Sequence, residues 1–224
     1  MANERIIRVT GKGVLKVKPD VTRITMTLEG QNKEYDRILE QSSKDTEALK
    51  DILEKYGFER SDVKTLSFNV DTRYESYQAK DRSWKQRFIG YEFKHVMKVE
   101  FDSDNARLGK ILYSLASAKT IHPDFRISYT VKNKEASKNE LLGKAVSDAK
   151  AKASVLTVAA GVTLKDIKTI DYSWGEIEFE YEPMHKEVYC KSIIMTESDN
   201  SLDMDIEPDD IEVADTVTVV WEIG

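Results

Sequence analysis

The sequence predicts an α/β protein of the α+β type, in which two duplicated β-α-β-β units form a mixed, largely antiparallel sheet. Helices are expected on one face of that sheet, with hairpins projecting from it. One observation behind this prediction is a repeat, because the strand-like segment 23–28 returns as 126–131, 103 positions later. A second is that the segment starting at Asp62 returns at Asp166, after 104 positions. A nearly constant offset over so long a span is typical of a duplicated folding unit.

A third observation is that an amphipathic helix lies inside each copy. Apolar residues recur at helical spacing over roughly 33–56 and 135–160, which predicts one apolar stripe per helix. Gly57 and Gly161 follow these stripes, and glycine suits the left-handed backbone position that ends a helix. The second stripe is rich in alanine, so we expect this helix to lie close to its neighbour.

The whole chain, 1–224, is expected to form one domain with an internal repeat. The two copies cover approximately 21–101 and 125–223, and a shorter helix over 104–117 links them. Ser103 or Asp104 precedes this linking helix, and both residue types cap helix N-termini well. A chain of this length is long enough for one large domain or two small ones.

The N-terminal strands surround a short glycine-rich segment. Strand-like residues at 6–10 and 14–17 flank Gly-Lys-Gly at 11–13, which predicts a turn or bulge between two short strands. Residues 21–28 then alternate between apolar and polar side chains, as expected for a half-buried strand.

Two projecting hairpins are expected, one around 70–90 and one around 174–210. The return strand of the first is the clearest in the sequence, because apolar or aromatic residues and His95 fill the odd positions from Ile89 to Phe101. Its tip, 77–86, is polar. The final strand at 211–223 restores the same alternation after a long segment without a clear period.

Composition argues against several classes of function. The net charge of -6 disfavours nucleic-acid binding, and the densest basic stretch is interrupted by Glu75 and Asp81, so we interpret it as a solvated hairpin tip. No apolar run approaches the ~20 residues that span a bilayer. The single cysteine, Cys190, excludes an intramolecular disulfide. The chain as written has no apolar signal region, so we expect a cytoplasmic protein.

Catalytic and cofactor signatures are not found in the sequence, so no catalytic, metal-binding or cofactor-binding residue is predicted. His95 lies on the apolar face of a strand, where a satisfied, partly buried histidine is expected. His122 precedes a proline and fits a turn. His185 and Cys190 share one irregular segment, and a thiol–imidazole pair there has no third residue to orient it.

Alternating glutamates mark the second projecting hairpin, at Glu176, Glu178, Glu180 and Glu182. A straight row of carboxylates does not converge on a cation, so a solvent-facing edge is expected. The opposite face would be exposed unless another subunit covered it. The predicted interface residues are Tyr74, Trp174, Ile177, Phe179 and Tyr181.

Short motifs at both ends of the chain resemble the SIMPL domain family, also called DUF541 and typified by bacterial YggE-like proteins. They are Val-Thr-Gly-Lys-Gly at 9–13, Val-Lys-Pro-Asp at 17–20 and Val-Thr-Val-Val-Trp-Glu-Ile at 217–223, with the long helix after the early strands. The resemblance implies a mixed α/β domain that can form large ring- or channel-like oligomers and has no established catalytic residues. It also implies frequent export to the periplasm and a loose link to oxidative stress.

The main functional hypothesis is therefore a non-enzymatic protein that self-assembles through its two hairpins. A monomeric or dimeric module that binds a protein or peptide through a free strand edge is the first alternative. An enzyme that uses His185, Cys190 or the glutamate row is the second.

Overall fold

The computed structural model of the chain describes residues 5–172, 177–182 and 207–224. Within these residues, helices and two mostly antiparallel sheets confirm the α+β class predicted from the sequence. The elements in chain order are β1 (Ile6–Val17), β2 (Val21–Asn32), α1 (Tyr35–Glu54), β3 (Lys64–Gln78), β4 (Trp84–Asp102), α2 (Asn105–Ala116), β5 (Asp124–Thr130), α3 (Lys134–Ala159), β6 (Leu164–Asp171), β7 (Glu180–Tyr181) and β8 (Ile211–Ile223).

The chain folds as two compact units. The terminal unit holds both chain ends and comprises Met1–Asp20, Thr130–Tyr181 and Pro208–Gly224. The central unit comprises Val21–Tyr129 and Glu182–Glu207. No helix in the described parts of either unit is long and apolar enough to span a membrane.

The central unit is built on strands in the order β3-β4-β2-β5. Strand β4 runs antiparallel to both β2 and β3, so these two strands are parallel to each other although β4 separates them. Helix α1 connects β2 to β3 and packs on β2 and β4. Its apolar stripe buries Ile38, Leu49 and Leu53 in a core shared with the sheet and with α2.

Helix α2 begins where the sequence predicts. The Asp104 side chain accepts a hydrogen bond from the Arg107 backbone N–H at 2.9 Å, which satisfies one of the donors left free at a helix start. The helix then buries Leu108, Ile111, Leu112 and Leu115.

The terminal unit repeats the same arrangement with different strands. Its sheet has the order β1-β8-β6, with β8 antiparallel to both outer strands. Helix α3 packs mainly on β1 and β8. Strand β1 therefore holds the position that β2 holds in the central unit. Strand β5, which resembles β2 in sequence, is part of the other sheet.

The turn predicted at Gly-Lys-Gly is wrong, because β1 continues through it. Gly11 pairs with Val217 and Gly13 with Asp215, in an unbroken register with β8. A Cβ atom on Gly11 would overlap the backbone of α3 at Ala145 and Ala149. Glycine is needed at these positions because α3 lies directly on β1. The alanine-rich stripe of α3 lets the helix and the strand approach closely, as expected from the sequence.

The hairpin formed by β3 and β4 has the alternation predicted for its base. Phe93, His95, Met97, Val99 and Phe101 are all buried along β4. The pattern ends at an irregularity where Arg73 pairs with Gly90 but Tyr74 pairs with Phe88, so Ile89 is the extra residue of a β-bulge.

Most of the second predicted hairpin lies outside the described residues, which include only 177–182 and 207–210 of the range 174–210. Within that part, Phe179 packs into a core cluster of the terminal unit with Leu15, Val131 and Leu141.

Candidate interaction surface

The outer strand of the central sheet, β3, is exposed along its length. Of its fifteen residues, only Val70 is half-buried and the others are exposed. Strand β4 is its one neighbour in the sheet order of the described residues. The exposed side chains include Leu66, Phe68, Tyr74 and Tyr77. Among the described residues, no strand pairs with the other edge of β3, which lies beside exposed apolar side chains.

The β-bulge brings four aromatic rings together on one face of the hairpin. Because Ile89 is the extra residue, Phe88 comes onto the face of Tyr91, and their ring centroids lie 5.2 Å apart. Phe88 also contacts Tyr74 at 5.8 Å, and Tyr91 contacts Tyr35 of α1 at 5.2 Å. Each pair meets edge to face, which is favourable for aromatic rings. Tyr74 nevertheless remains 55% exposed.

The opposite face of the hairpin carries paired charges. Arg73 forms an ion pair with Glu92 at 2.8 Å, and Arg87 forms one with Glu75 at 2.6 Å. The Arg87 guanidinium also lies 5.9 Å from the centre of the Tyr77 ring. These exposed pairs contribute little to stability.

A tight turn at 79–83 closes the hairpin. The Ala79 N–H donates to the Ser83 carbonyl at 2.8 Å, and the Arg82 N–H donates to the Ala79 carbonyl at 2.9 Å. Arg82 has a φ of 63°, a left-handed conformation usually taken by glycine. The Asp81 carboxylate accepts from the Ser83 hydroxyl and backbone N–H, which lowers the pKa of that carboxyl.

His95 is held between two threonines at the base of the hairpin, as the sequence predicts for a satisfied, partly buried histidine. Its Nδ1 lies 3.0 Å from the Thr46 hydroxyl and its Nε2 lies 2.9 Å from the Thr65 hydroxyl. The Thr46 hydroxyl donates its one proton to the Ser42 carbonyl, so it accepts from Nδ1–H. In the neutral ring, which burial favours, the Thr65 hydroxyl donates to Nε2. Burial, with the nearby Lys50 charge, lowers the pKa of His95.

The structure describes four of the five predicted interface residues. Tyr74 lies on the hairpin, and Trp174 lies outside the described residues. Ile177 and Tyr181 pack against a core cluster of the terminal unit, and Phe179 is a member of it with 1% exposure. The expectation that Phe179 would be exposed is wrong, because its own unit covers it.

The glutamate row alternates as expected in the part that is described. Glu178, Glu180 and Glu182 are exposed, and Phe179 between them is buried. Glu176 and both members of the thiol–imidazole pair, His185 and Cys190, lie outside the described residues. His122 is exposed. Among the described residues, no three His, Cys, Asp or Glu side chains are grouped so that they could hold a metal ion.

Two open depressions of about 140 and 260 Å³ share Asn32; the first is lined in part by the hairpin and the second by α1. Both are smaller than the pockets that usually hold small-molecule ligands, which measure roughly 300–1,000 Å³. They therefore do not identify a substrate site.

Sequence reasoning missed the contribution of Phe88 and Trp84 to this surface. Both occupy even positions, whereas the apolar side of β4 was expected at odd positions. The signal available was Gly90, because a glycine inside a strand pattern often marks a bulge. Its φ of 143° and its contact with the Asn32 backbone explain why glycine is needed there.

Comparison with known proteins finds a family match over nearly the whole chain. The family model described as SIMPL, protein of unknown function (DUF541), matches residues 7–221. The 26 kDa periplasmic immunogenic protein of Brucella melitensis is 25% identical over 220 residues, covering 97% of this chain and 84% of that protein. The protein of the same description from Brucella abortus is 24% identical over the same shares.

Proposed function

The chain belongs to the SIMPL family of proteins of unknown function, and we propose that it is a non-enzymatic protein that assembles with further copies of itself. The observation that carries this proposal is the exposed outer edge of β3. Fifteen residues form this strand, and fourteen of them are exposed. Long exposed edge strands with apolar side chains are natural sites for pairing with another chain.

The contrast with β6 supports this choice of surface. Strand β6 is an outer strand of the terminal sheet, but it is eight residues long, carries Lys165 and Lys168 and has two register shifts. Short length, lysines and bulges are the features that protect an edge from pairing. In β3 a single lysine, Lys64, stands at the start, and from Ser67 to Gln78 the strand contributes no extra residue to its pairing with β4.

A self-complementary register exists on β3. If two copies pair antiparallel about Thr72, Asp71 of each lies opposite Arg73 of the other, and Val70 lies opposite Tyr74. Because the contact is two-fold symmetric, each favourable pair of residues occurs twice in it. Registers centred on Asp71 or on Arg73 would instead place two like charges directly opposite each other. We therefore propose the register about Thr72, which gives Tyr74 the interface role expected from the sequence.

The first experiment is the solution mass, measured by size exclusion with light scattering over a range of concentrations. Self-assembly predicts a mass that is a multiple of 25.6 kDa. A mass that stays at one subunit at every concentration would contradict the proposal. Charge reversal at one position, Arg73→Glu, should lower the mass, and the double exchange Asp71→Arg with Arg73→Asp should restore it.

The register is tested by disulfide trapping in a Cys190→Ser background, which removes the single native thiol. Thr72→Cys places one thiol opposite its copy, at a separation that a disulfide can bridge. Asn69→Cys is the matched control, because in this register its copy lies six residues away along the strand, roughly 20 Å. Equal rates of oxidation to dimer in both variants would reject the register.

The contribution of the second hairpin requires a deletion that spares the core. Because Phe179 is buried in the terminal unit, the deletion should begin after Glu182 and remove 183–206. If this segment is an interface arm, the mass of the assembly falls while the circular dichroism of the remaining chain is kept. An unchanged mass would exclude the arm from assembly.

The same edge supports one alternative function, the binding of a peptide as an added strand. That function predicts a monomer or dimer whose β3 edge is protected from hydrogen exchange on addition of the peptide.

The names of the two relatives contain the word periplasmic, and we propose the periplasm as the location of this protein. Its recovery in the cytoplasmic fraction after osmotic shock would contradict this and restore the expectation from the sequence.

A further inference from the structure

The tip of the β3–β4 hairpin is cationic in a chain whose net charge is -6. Residues 77–88 contain four cationic side chains, Lys80, Arg82, Lys85 and Arg87, and one carboxylate, Asp81. Positive charge concentrated at one end of a hairpin, in a chain that is negative overall, favours binding of an anionic partner at the tip.

Most of these cations are available to a partner. Arg87 is engaged by Glu75, but Lys80, Arg82 and Lys85 form no ion pair with any other described residue. The Asp81 carboxylate is directed to Ser83, through the hydroxyl at 2.6 Å and the backbone N–H at 3.0 Å, so it stabilises the turn.

Two exposed aromatic residues stand beside the cations. Trp84 is 73% exposed, more than any other aromatic side chain of the described residues, and Tyr77 is 41% exposed. Trp84 pairs with Gln78 and Tyr77 pairs with Lys85 on the neighbouring rung, so the two rings lie on opposite faces of the hairpin. Tryptophan, tyrosine and basic residues together are typical of segments that sit at a membrane surface.

We propose that this tip binds the surface of an anionic lipid bilayer, with Trp84 and Tyr77 at the level of the headgroups and the cations on lipid phosphates. Rings on opposite faces of a narrow tip can enter a planar interface together, but they cannot stack on successive bases of one nucleic-acid strand. A nucleic acid also requires cations along a track, whereas these are gathered at one turn. The proposal uses the tip of the hairpin and does not depend on pairing along its β3 edge.

The experiment is co-sedimentation of the full chain with vesicles of phosphatidylglycerol and phosphatidylcholine, compared with pure phosphatidylcholine. We expect binding to the anionic vesicles that weakens as salt is raised from 0.05 to about 0.5 M, because salt screens the lysine and arginine charges. Replacement of Lys80 and Lys85 by Glu should weaken this binding at least about tenfold.

The matched control is Lys110→Glu with Lys119→Glu, which makes the same charge change at two exposed lysines elsewhere in the central unit. This variant should keep most of the binding. A Trp84→Phe variant should still bind but lose the blue shift of tryptophan emission that the wild-type protein shows on vesicles. Circular dichroism and solution mass, unchanged in all three variants, separate a lost lipid contact from lost folding or assembly.

Three results would overturn the proposal. One is equal binding to both kinds of vesicle, and another is an equal loss of binding in the tip and control variants. The third is tighter, tip-dependent binding of a single-stranded oligonucleotide, measured by fluorescence anisotropy, which would assign the tip to nucleic acid.

Discussion

Gly11 of β1 lies directly against Ala145 of α3. A Cβ on Gly11 would overlap the Ala145 carbonyl oxygen, so the strand carries no side chain at the point where the helix is nearest. Gly13 has the same relation to Leu141, one helical turn away. Small residues on both elements thus allow a close contact that holds the helix on the sheet of the terminal unit.

This contact predicts that Gly11→Ala is strongly destabilising. The added methyl meets helix backbone, which cannot move aside as a flexible side chain could, so we expect a loss of about 2–4 kcal/mol in unfolding free energy. Urea denaturation followed by circular dichroism measures it.

Gly143→Ala in α3 provides the control, because a Cβ at this exposed helix position meets nothing within 4 Å. Alanine is the better helix former by about 0.5–1 kcal/mol, so this variant should be more stable than the wild type. If Gly11→Ala were tolerated as well as Gly143→Ala, the close contact would not exist in solution.

The neutral state of His95 predicts a pH dependence of stability. Its folded-state pKa is lowered from the ordinary 6.5, chiefly by burial. The unfolded chain therefore binds more protons at mildly acidic pH, so the unfolding free energy is fully retained above about pH 6.5 and falls as the pH decreases below it. Denaturation midpoints between pH 5 and 8 measure the fall.

His95→Gln should remove that part of the slope, since glutamine does not titrate, at the cost of a lower stability at pH 8. His122→Gln is the matched variant, because His122 is exposed, and it should leave the slope as it is in the wild type. A slope that survives in His95→Gln would show that another group is responsible.

The left-handed backbone at Arg82 predicts that Arg82→Gly is stabilising. Arginine holds a φ of 63° at a position where glycine has no steric cost, so the exchange should raise the unfolding free energy by about 1 kcal/mol. The thermal midpoint should rise accordingly. Arg82→Ala removes the same charge but keeps the Cβ, and it should give no gain. Equal thermal midpoints in the two variants would show that the change in stability comes from the lost charge and not from the backbone conformation at this position.

Arg107 predicts a difference between arginine and lysine at one site. Its Nε and Nη2 donate to the Tyr56 carbonyl at 3.2 and 2.8 Å, just beyond α1, and its guanidinium lies 4.2 Å from the centre of the Phe58 ring. Lysine keeps the positive charge, but it cannot donate two hydrogen bonds from one planar group or stack that group on the Phe58 ring. Arg107→Lys should therefore lower the unfolding free energy by about 1–2 kcal/mol.

The comparison for Arg107 is Arg60→Lys, at an exposed arginine that pairs with three carboxylates. Exposed pairs contribute little, so this exchange should cost less than about 0.5 kcal/mol in the same denaturation assay. A larger loss at Arg60 than at Arg107 would contradict the role of the Arg107 contacts.

Local patterns in the sequence determined the elements and their buried faces. The cap at Asp104, the stripe of α2 and the odd-numbered core positions of β4 follow from helical and strand periodicity, which depend on near neighbours in the chain. The satisfied state expected for His95 follows from its place in the same pattern.

Tertiary structure alone decided which strands share a sheet and which small residues lie under a helix. Strand β5 resembles β2 in sequence, yet the two strands belong to the same sheet. In the terminal unit β1 takes the place that β2 has in the central unit, and Gly11 lets α3 lie close to it. Phe179 looked exposed beside its glutamates but is covered by the core of its own unit. These features depend on segments that lie far apart in the chain, and a pattern of period two or 3.6 carries no information about such partners.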